Sequence, residues 1–258
     1  MGCNWDSVTD FHFYIENILI TIKTIHRISE QGRTSPFFCT ASDGNQYFVK
    51  GLQANRQSQV NEWICAHLAR AFGLPIPHFA LLYMDATQYD VLPADYKSIG
   101  IGYAFGSQER LGQSWIEHHE LSRLPTQLKR DILVFDRWIN NLDRTLGNIN
   151  LIINSNTFDT FVIDHNLAFD VTFDMNEFLK IHVFASEWGN ICGDWIERDE
   201  YTQRMKTALS TLDEAIRTIP DEWQWLNNEQ DTKATLLTNQ SVRDILNYYE
   251  KHEFWTHS

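Results

Sequence analysis

Residues 140–166 read NNLDRTLGNINLIINSNTFDTFVIDHN, and this stretch decides the fold. Asp143 is followed five residues later by Asn148, and Asp164 comes directly after the short apolar run FVI. Carboxylate and amide oxygens in this order are ligands that a magnesium site for phosphate transfer requires. The same residue types also commonly end helices and form turns. The rest of the chain has to separate these two interpretations.

A small antiparallel sheet is predicted upstream. Residues 14–26, YIENILITIKTIH, are rich in β-branched side chains, which favours a strand. The apolar runs PFFCTA and QYFVK are separated by SDGN at 42–45, and Asp-Gly between two such runs is a strong hairpin signal. Lys50 therefore ends the second strand of a predicted hairpin.

The hydrophobic period changes to that of a helix from about Gln57. One helical stripe holds Val60, Trp63, Ile64, His67, Leu68 and Ala71. Gly73 and Pro75 then end the helix. FALLYM at 79–84 predicts another strand, whereas residues 85–113 show no clear pattern.

The chain after Pro125 is predicted to be mostly helical, apart from a short hairpin around residues 154–156. We therefore expect an α+β protein with a β-rich part at 1–85, which carries one helix. A larger helical part at 86–258 would contain the segment 140–166. A cleft between two such parts is a natural ligand site.

Five side chains match the parts that phosphoryl transfer from ATP requires. Lys50 is borne on a strand, and Glu62 on the following helix can fix it. Asp143 is a candidate base, and Asn148 and Asp164 are candidate ligands of Mg²⁺. Taken singly, each has a plain explanation as a solvated lysine, a first-turn glutamate or a turn residue. Their order, on the right types of element, favours the catalytic interpretation.

Four segments resemble the HipA-like kinases, which share a fold with protein and phosphatidylinositol kinases. These segments are GRTSPFFCTASDGNQYFVK at 32–50, NEWICAHLARAFGLPIP at 61–77, FDRWINNLDRTLGN at 135–148 and FVIDHNLAF at 161–169. The resemblance covers roughly residues 25–170 and points to the compact, single-domain branch of the family. It implies a bilobal, protein-kinase-like fold with a small β-rich N-lobe and a larger helical C-lobe.

The resemblance also implies a role for each residue. Lys50 would contact the α- and β-phosphates of ATP, and Glu62 would hold it. Asp143 would be the catalytic base, with the two metal ligands as given above. Arg144 would organise the catalytic loop, and Asp136 would support it from the preceding helix. The reaction implied is transfer of the γ-phosphoryl group to a serine or threonine of a protein, as HipA toxins do.

The loop GRTSP at 32–36 is a candidate phosphate-binding element. Backbone amides near Gly32, together with Thr34 and Ser35, could cradle phosphates. HipA toxins as a family autophosphorylate a serine in this region, which switches them off, and Ser35 could play that part. A Ser-Pro turn is the plain alternative.

The departures from eukaryotic protein kinases keep two other functions open. No GxGxxG precedes Lys50, and Asp164 is followed by His165-Asn166 instead of Phe-Gly. The missing phosphate loop leaves a catalytically inactive pseudokinase or binding module as one alternative. A small-molecule or lipid kinase on the same fold is the other, although an acidic surface disfavours anionic lipids.

Charge and motifs argue against several further classes. The formal net charge of −13 repels nucleic-acid backbones, so we expect no direct nucleic-acid partner. Four scattered cysteines make a disulfide framework or a zinc site improbable. His118-His119 do not face the same way on a helix, which disfavours a metal pair. Without a GxSxG motif, a hydrolase is also disfavoured.

Localisation and partners follow from the same features. The N-terminus MGCNWDSV lacks the pattern of a signal peptide, and Asp6 stands where a myristoylation signal has Ser or Thr. The longest apolar runs are too short to span a bilayer. We therefore expect a soluble cytoplasmic protein with no membrane partner. The family resemblance adds a protein substrate and an antitoxin-type partner.

Overall fold

The computed structural model describes residues 19–29, 34–227 and 229–256. The strands are β1 (Ile20–Ile28), β2 (Phe37–Ala41), β3 (Gln46–Lys50), β4 (Phe79–Met84), β5 (Gly102–Gln108), β6 (Ser114–Trp115), β7 (Leu151–Ile153) and β8 (Thr160–Val162). The α-helices are α1 (Arg56–Phe72), α2 (Ala86–Asp90), α3 (Thr126–Trp138), α4 (Met175–Ile181), α5 (Trp188–Gly193), α6 (Trp195–Leu209), α7 (Leu212–Arg217) and α8 (Asn239–Asn247). None of the helices in these three ranges has both the length and the apolar character needed to cross a bilayer.

Five strands close into a barrel in the order β1-β2-β3-β5-β4. β4 runs parallel to β1, and the other neighbouring pairs are antiparallel. The predicted β2–β3 hairpin is confirmed. Gly44 has a φ of 81°, a conformation that glycine adopts without a steric penalty, and the Asn45 N–H donates to the Asp43 side chain at 3.0 Å. The composition is α+β as predicted, with a closed barrel in place of a simple sheet.

The fifth strand of the barrel comes from the segment that the sequence left unassigned. β5 pairs with β3 and with β4, so the barrel extends well past residue 85. The division at 85 therefore does not coincide with the end of the barrel, and the two-lobe division itself stays a prediction. The strand predicted at 14–26 is observed as β1 from residue 20, and residues 14–18 lie outside the described residues.

Helix α1 connects the barrel to the helical part. Asn55 caps its N-terminus by accepting from the Ser58 N–H at 2.9 Å, and Gly73 ends it with a φ of 94°. Most of its residues are buried, because it packs against α6 and α7 as well as against β5. A polar side chain on this helix is therefore held in a fixed place.

The segment after Pro125 is mostly helical, as predicted. α3 buries an unbroken run from Ile132 to Trp138 in the largest hydrophobic core. The predicted hairpin around residues 154–156 is confirmed, because β7 pairs with β8. β6 adds to β7, so this small sheet lies in sequence between the barrel and the C-terminal helices.

Candidate active site

A cleft of about 350 Å³ opens between the barrel and the small β6–β8 sheet. Phe48, Phe79 and Phe105 of the barrel line one side, and Ile152 and Val162 of the small sheet line the other. A largely apolar slot with a few convergent polar groups is typical of a small-molecule site. Aromatic and aliphatic walls of this kind can enclose a flat heteroaromatic ring.

Lys50 lies on the cleft wall between two carboxylates. Its ammonium group donates to the Glu62 carboxylate, and at 2.8 Å to Oδ1 of Asp164. Both Lys50 and Glu62 are buried, at 8% and 3% exposed. The strand lysine and the helix glutamate are therefore paired in the folded chain, as the sequence predicted.

Lys50 and Asp164 each stabilise the charged form of the other. Burial alone would lower the pKa of Lys50, but the neighbouring Asp164 and Glu62 carboxylates raise this pKa overall. Burial would raise the pKa of Asp164, but the Lys50 ammonium, together with the Asn166 N–H, lowers this pKa overall. At neutral pH the site thus presents one cation between carboxylates, with Asp164 ionised.

Asp164 adopts an unusual backbone conformation. Its φ is 61°, in the left-handed region that non-glycine residues seldom occupy. The next residue is held by Glu62, whose Oε2 accepts from the His165 N–H at 3.2 Å. Strain of this kind persists only where the surroundings hold it, and it is concentrated at functional sites.

Asp143 and Asn148 meet in the turn after α3. The Asn148 side-chain amide donates to Oδ2 of Asp143 at 2.7 Å, and the Asn150 amide donates to the same oxygen at 3.2 Å. These two bonds orient the Asp143 carboxylate, which is only partly buried. Asn150 itself is fully buried and was not singled out from the sequence.

Arg144 and Asp136 form a buried ion pair beneath this turn. Arg144 Nε lies 2.5 Å from Asp136 Oδ2, and both side chains are fully buried. Arg144 also donates to the backbone carbonyls of Ile149 and Asn150 at 3.1 and 2.7 Å. The family resemblance implies that Arg144 organises the catalytic loop, and these contacts are those of a residue that shapes the loop; its part in catalysis stays a prediction.

His182 completes the support of Asp136. Its Nε2 lies 3.0 Å from Asp136 Oδ2, and its Nδ1 accepts from the Phe184 N–H at 3.1 Å. Because Nδ1 accepts, the proton of the neutral ring lies on Nε2 and is donated to Asp136. Burial lowers the pKa of His182, which keeps the ring neutral. Burial would also raise the pKa of Asp136, but Arg144 and His182 lower it overall.

The Lys50–Asp164 pair and the turn that carries Asp143 are joined through the backbone. The Asn150 carbonyl accepts from the Ile163 N–H at 3.1 Å, and Ile163 precedes Asp164. Lys50 and Asp164 line the cleft, whereas Asp143 is not part of that lining. The turn at 143–148 therefore lies beside the cleft and is tied to the strand end that carries Asp164.

The oxygen donors here suit a magnesium ion that is also bound by phosphate. Within the described residues, no three His, Cys, Asp or Glu side chains gather closely enough to hold a metal by themselves. Asp164 supplies a carboxylate, and Asn148 donates its amide NH₂ to Asp143, which leaves its amide oxygen for a cation. Asn150 Oδ1 is buried without a hydrogen-bond partner. Mg²⁺ is typically bound by one or two carboxylates plus substrate phosphates, so the residues fit.

The predicted phosphate loop is placed only in part. Gly32 lies outside the described residues. Ser35 is exposed, with a φ of 45°, and neighbouring Pro36 lines the cleft together with Ser29. The contribution of Gly32 and Ser35 to phosphate binding stays a prediction.

The cleft walls were missed by reasoning from the sequence. Phe48 and Phe105 come from strands that are adjacent only in the folded barrel. The strand β5, which also brings Ser107 and Gln108 to the cleft, carries glycines at its start and centre. The sequence signal for β5 was the apolar run YAF at 103–105, which is too short to identify a strand.

The fold is similar to that of kinases of known structure. The crystal structure of the golgi casein kinase aligns with 91% of this chain and 72% of its own, at 14% sequence identity and a TM-score of 0.52. The Helicobacter pylori proinflammatory kinase CtkA aligns with 90% of this chain and 94% of its own, at 9% identity and a TM-score of 0.47. No curated protein matches the sequence. At 14% identity, the likeness to the casein kinase shows the fold alone.

The family resemblance of the motifs is confirmed over more of the chain than the motifs cover. Residues 22–258 match the family model described as HipA-like kinase, and this range takes in most of the barrel, the turn at 143–148 and the C-terminal helices. The chain therefore belongs to the HipA-like kinase family.

Proposed function

We propose that the protein is an ATP- and magnesium-dependent kinase that phosphorylates a serine or threonine hydroxyl of another protein. Membership of the HipA-like kinase family supports phosphotransferase activity in general. The choice of ATP, of Mg²⁺ and of a protein acceptor goes further, and it rests on the chemistry of the cleft.

One observation carries the proposal. The Lys50 ammonium is held between Glu62 and Asp164 on the wall of an apolar cleft, and the oriented Asp143 carboxylate lies in the adjoining turn. A buried lysine with two carboxylate partners is costly to build as a structural element alone. Phosphoryl transfer needs these groups, because its catalysis is mostly positioning and electrostatic stabilisation.

Each side chain would have a distinct task. Lys50 would neutralise charge on the α- and β-phosphates while Glu62 keeps it in place. Asp164 and Asn148 would hold Mg²⁺, which supplies charge neutralisation for the phosphates when it is bound. Asp143 would accept the hydroxyl proton of the acceptor, since amide donors on one carboxylate oxygen hold the group in place.

Two alternatives give different results in simple assays. A pseudokinase or binding module would bind partners without turnover, and the intact Lys50–Glu62 pair argues against it. A small-molecule or lipid kinase would hydrolyse or transfer phosphate without a protein acceptor. Binding of ATP separates the proposed kinase from a pseudokinase that has lost nucleotide binding. A panel of acceptors separates the proposed kinase from a small-molecule or lipid kinase.

The test is intact-mass spectrometry after incubation with ATP and Mg²⁺, with and without candidate acceptor proteins, for the native chain and Asp143→Asn. We expect a gain of one or more phosphates with the native chain only, with transfer slowed roughly 10²- to 10⁴-fold in the variant. ATP affinity should stay close to the native value, because Asp143 is not part of the cleft lining.

Equal incorporation by the two chains would show that Asp143 is not the base. ATP binding without any transfer, across a broad panel of acceptors, would favour the binding module. If phosphopeptide mapping places the modification between residues 34 and 36, the predicted autophosphorylation of Ser35 gains support.

A further inference from the structure

The backbone after Asp164 is held by two consecutive residues of helix α1. Glu62 accepts from the His165 N–H at 3.2 Å, in addition to pairing with Lys50. The preceding residue, Asn61, donates its side-chain amide to the carbonyls of Asn166 and Ala168 at 2.9 and 2.8 Å. Three of the four residues that follow the strained Asp164, namely His165, Asn166 and Ala168, are thus contacted from one turn of one helix.

Asn61 is a polar side chain whose burial is energetically unfavourable on its own. It is 3% exposed and belongs to the part of α1 that packs into the interior. Burying an amide is unfavourable unless its donors and acceptor are all satisfied. Both donor hydrogens are satisfied by the segment that carries Asp164, so the contact with that segment accounts for a polar residue at this position.

The orientation of Asn61 is itself fixed. Gln57, one turn earlier on α1, donates to Asn61 Oδ1 at 2.6 Å, so the other amide atom must be the nitrogen that donates to the carbonyls. Gln57 in turn accepts from the Leu237 N–H at 2.7 Å. A continuous hydrogen-bonded chain therefore runs from the C-terminal segment through α1 to the residues after Asp164.

We propose that Asn61 is a positioning residue that holds Asp164 in the conformation in which it binds Mg²⁺. This inference rests on the proposed function, since it assigns a role toward the metal of that same site. Outer residues that orient a ligand are often needed nearly as much as the ligand, with losses of roughly 10- to 100-fold in metal affinity when they are replaced. Asn61 is not among the residues that line the cleft, so its effect should be confined to the metal.

The test measures ATP binding by isothermal titration calorimetry, once in excess Mg²⁺ and once in EDTA. The variant Asn61→Leu removes both donors at nearly constant volume. We expect its ATP affinity in EDTA to stay within about twofold of the native value, and the gain in affinity brought by Mg²⁺ to fall roughly 10-fold or more. A general loss of structure would lower both affinities together.

A matched control lies two residues further along α1. Trp63 Nε1 donates to the Ala215 carbonyl at 3.0 Å, so this bond is made to α7 and not to the 164–168 segment. Trp63→Phe removes a buried hydrogen bond from the same helix, so it lowers stability and leaves the bonds from Asn61 to the 164–168 segment in place. We expect it to keep the native gain in affinity from Mg²⁺.

The results separate the two levels of the proposal. If the native chain binds no ATP, the proposed function fails. If Mg²⁺ strengthens ATP binding equally in the native chain and in Asn61→Leu, or if Trp63→Phe loses the gain as well, only the role of Asn61 is overturned. Should Asn61→Leu not fold, Gln57→Leu decides. It keeps Asn61 but removes the bond to Asn61 Oδ1 that helps to fix the orientation of its amide. An unchanged gain in ATP affinity from Mg²⁺ would then refute the positioning role of Asn61.

Discussion

The buried pair of Arg144 and Asp136 gives the sharpest test of what stabilises the turn at 143–148. Asp136→Leu would leave the Arg144 guanidinium fully buried, with no counter-charge, and would remove the acceptor of His182. Breaking a buried pair from one side costs about 3–5 kcal/mol, because an uncompensated charge remains. We expect the free energy of unfolding in urea to fall by that amount, and Tm to fall by roughly 10 °C.

An exposed pair in the same protein supplies the control. Arg243 pairs with Asp213, whose side chain is 81% exposed, and surface pairs contribute only about 0–1 kcal/mol. Asp213→Leu should therefore change stability by less than about 1 kcal/mol. If Asp136→Leu destabilises no more than this control, the pair beneath the turn does not carry the energy assigned to it.

A double variant separates stability from function. Asp136→Leu combined with Arg144→Met replaces the pair by apolar groups of similar size, which is often neutral for stability. We expect it to recover at least half of the loss caused by Asp136→Leu alone. Phosphate transfer should not recover, because the bonds from Arg144 to the carbonyls of Ile149 and Asn150 are gone.

Three further predictions concern pH, the nucleotide and the backbone. Burial lowers the pKa of His165 to about 4, so the free energy of unfolding falls as the pH drops from about 6.5 toward 4, by about 2 kcal/mol between pH 7 and pH 5. Urea titrations of His165→Phe should show a clearly smaller difference in stability between these two pH values. Lys50→Met removes a charge-assisted contact with phosphate and should weaken ATP binding by about tenfold or more in calorimetry, and an unchanged affinity would place the phosphates elsewhere. Gly102→Ala would push a Cβ into the Glu222 carboxylate at a φ of 98°, whereas the Cβ of Gly44→Ala, at a φ of 81°, meets no atom within 4 Å. Both variants are strained by the left-handed backbone conformation, so thermal melts should show the larger fall in Tm for Gly102→Ala.

The residues predicted correctly had local signals. The Asp-Gly turn identified the β2–β3 hairpin, and this hairpin placed Lys50 at a strand end. The spacing of Asp143 and Asn148 is a property of one turn, and the structure brings the two side chains to 2.7 Å. Where a contact is set within a dozen residues, the order of residue types is enough to predict that contact.

The missing parts depend on contacts that are distant in sequence. β5 begins two residues after Gly100, which ends a short 3₁₀ helix, and it pairs with strands that lie at 46–50 and 79–84. Neither its hydrophobic period nor its sequence neighbours reveal it. His182 supports Asp136 from 46 residues away, although nothing near His182 suggests such a role. These positions are fixed by the closed barrel and by packing of the helices, which the local pattern does not encode.

The two polar networks of this protein share a physical logic that ties its stability to its function. The pair of Asp136 and Arg144 fixes the turn at 143–148, and Asn61 fixes the segment after Asp164. Both networks are buried, and their charges and amide donors have partners. Apolar side chains of the same volume would fill these places at equal or lower cost in free energy. Buried polar groups that stability alone does not require are expected at sites where geometry has to be exact to a fraction of an ångström. Their position, one under Asp143 and one behind Asp164, therefore argues that the chain maintains both ends of a working phosphoryl-transfer site, which a binding module without turnover would not need.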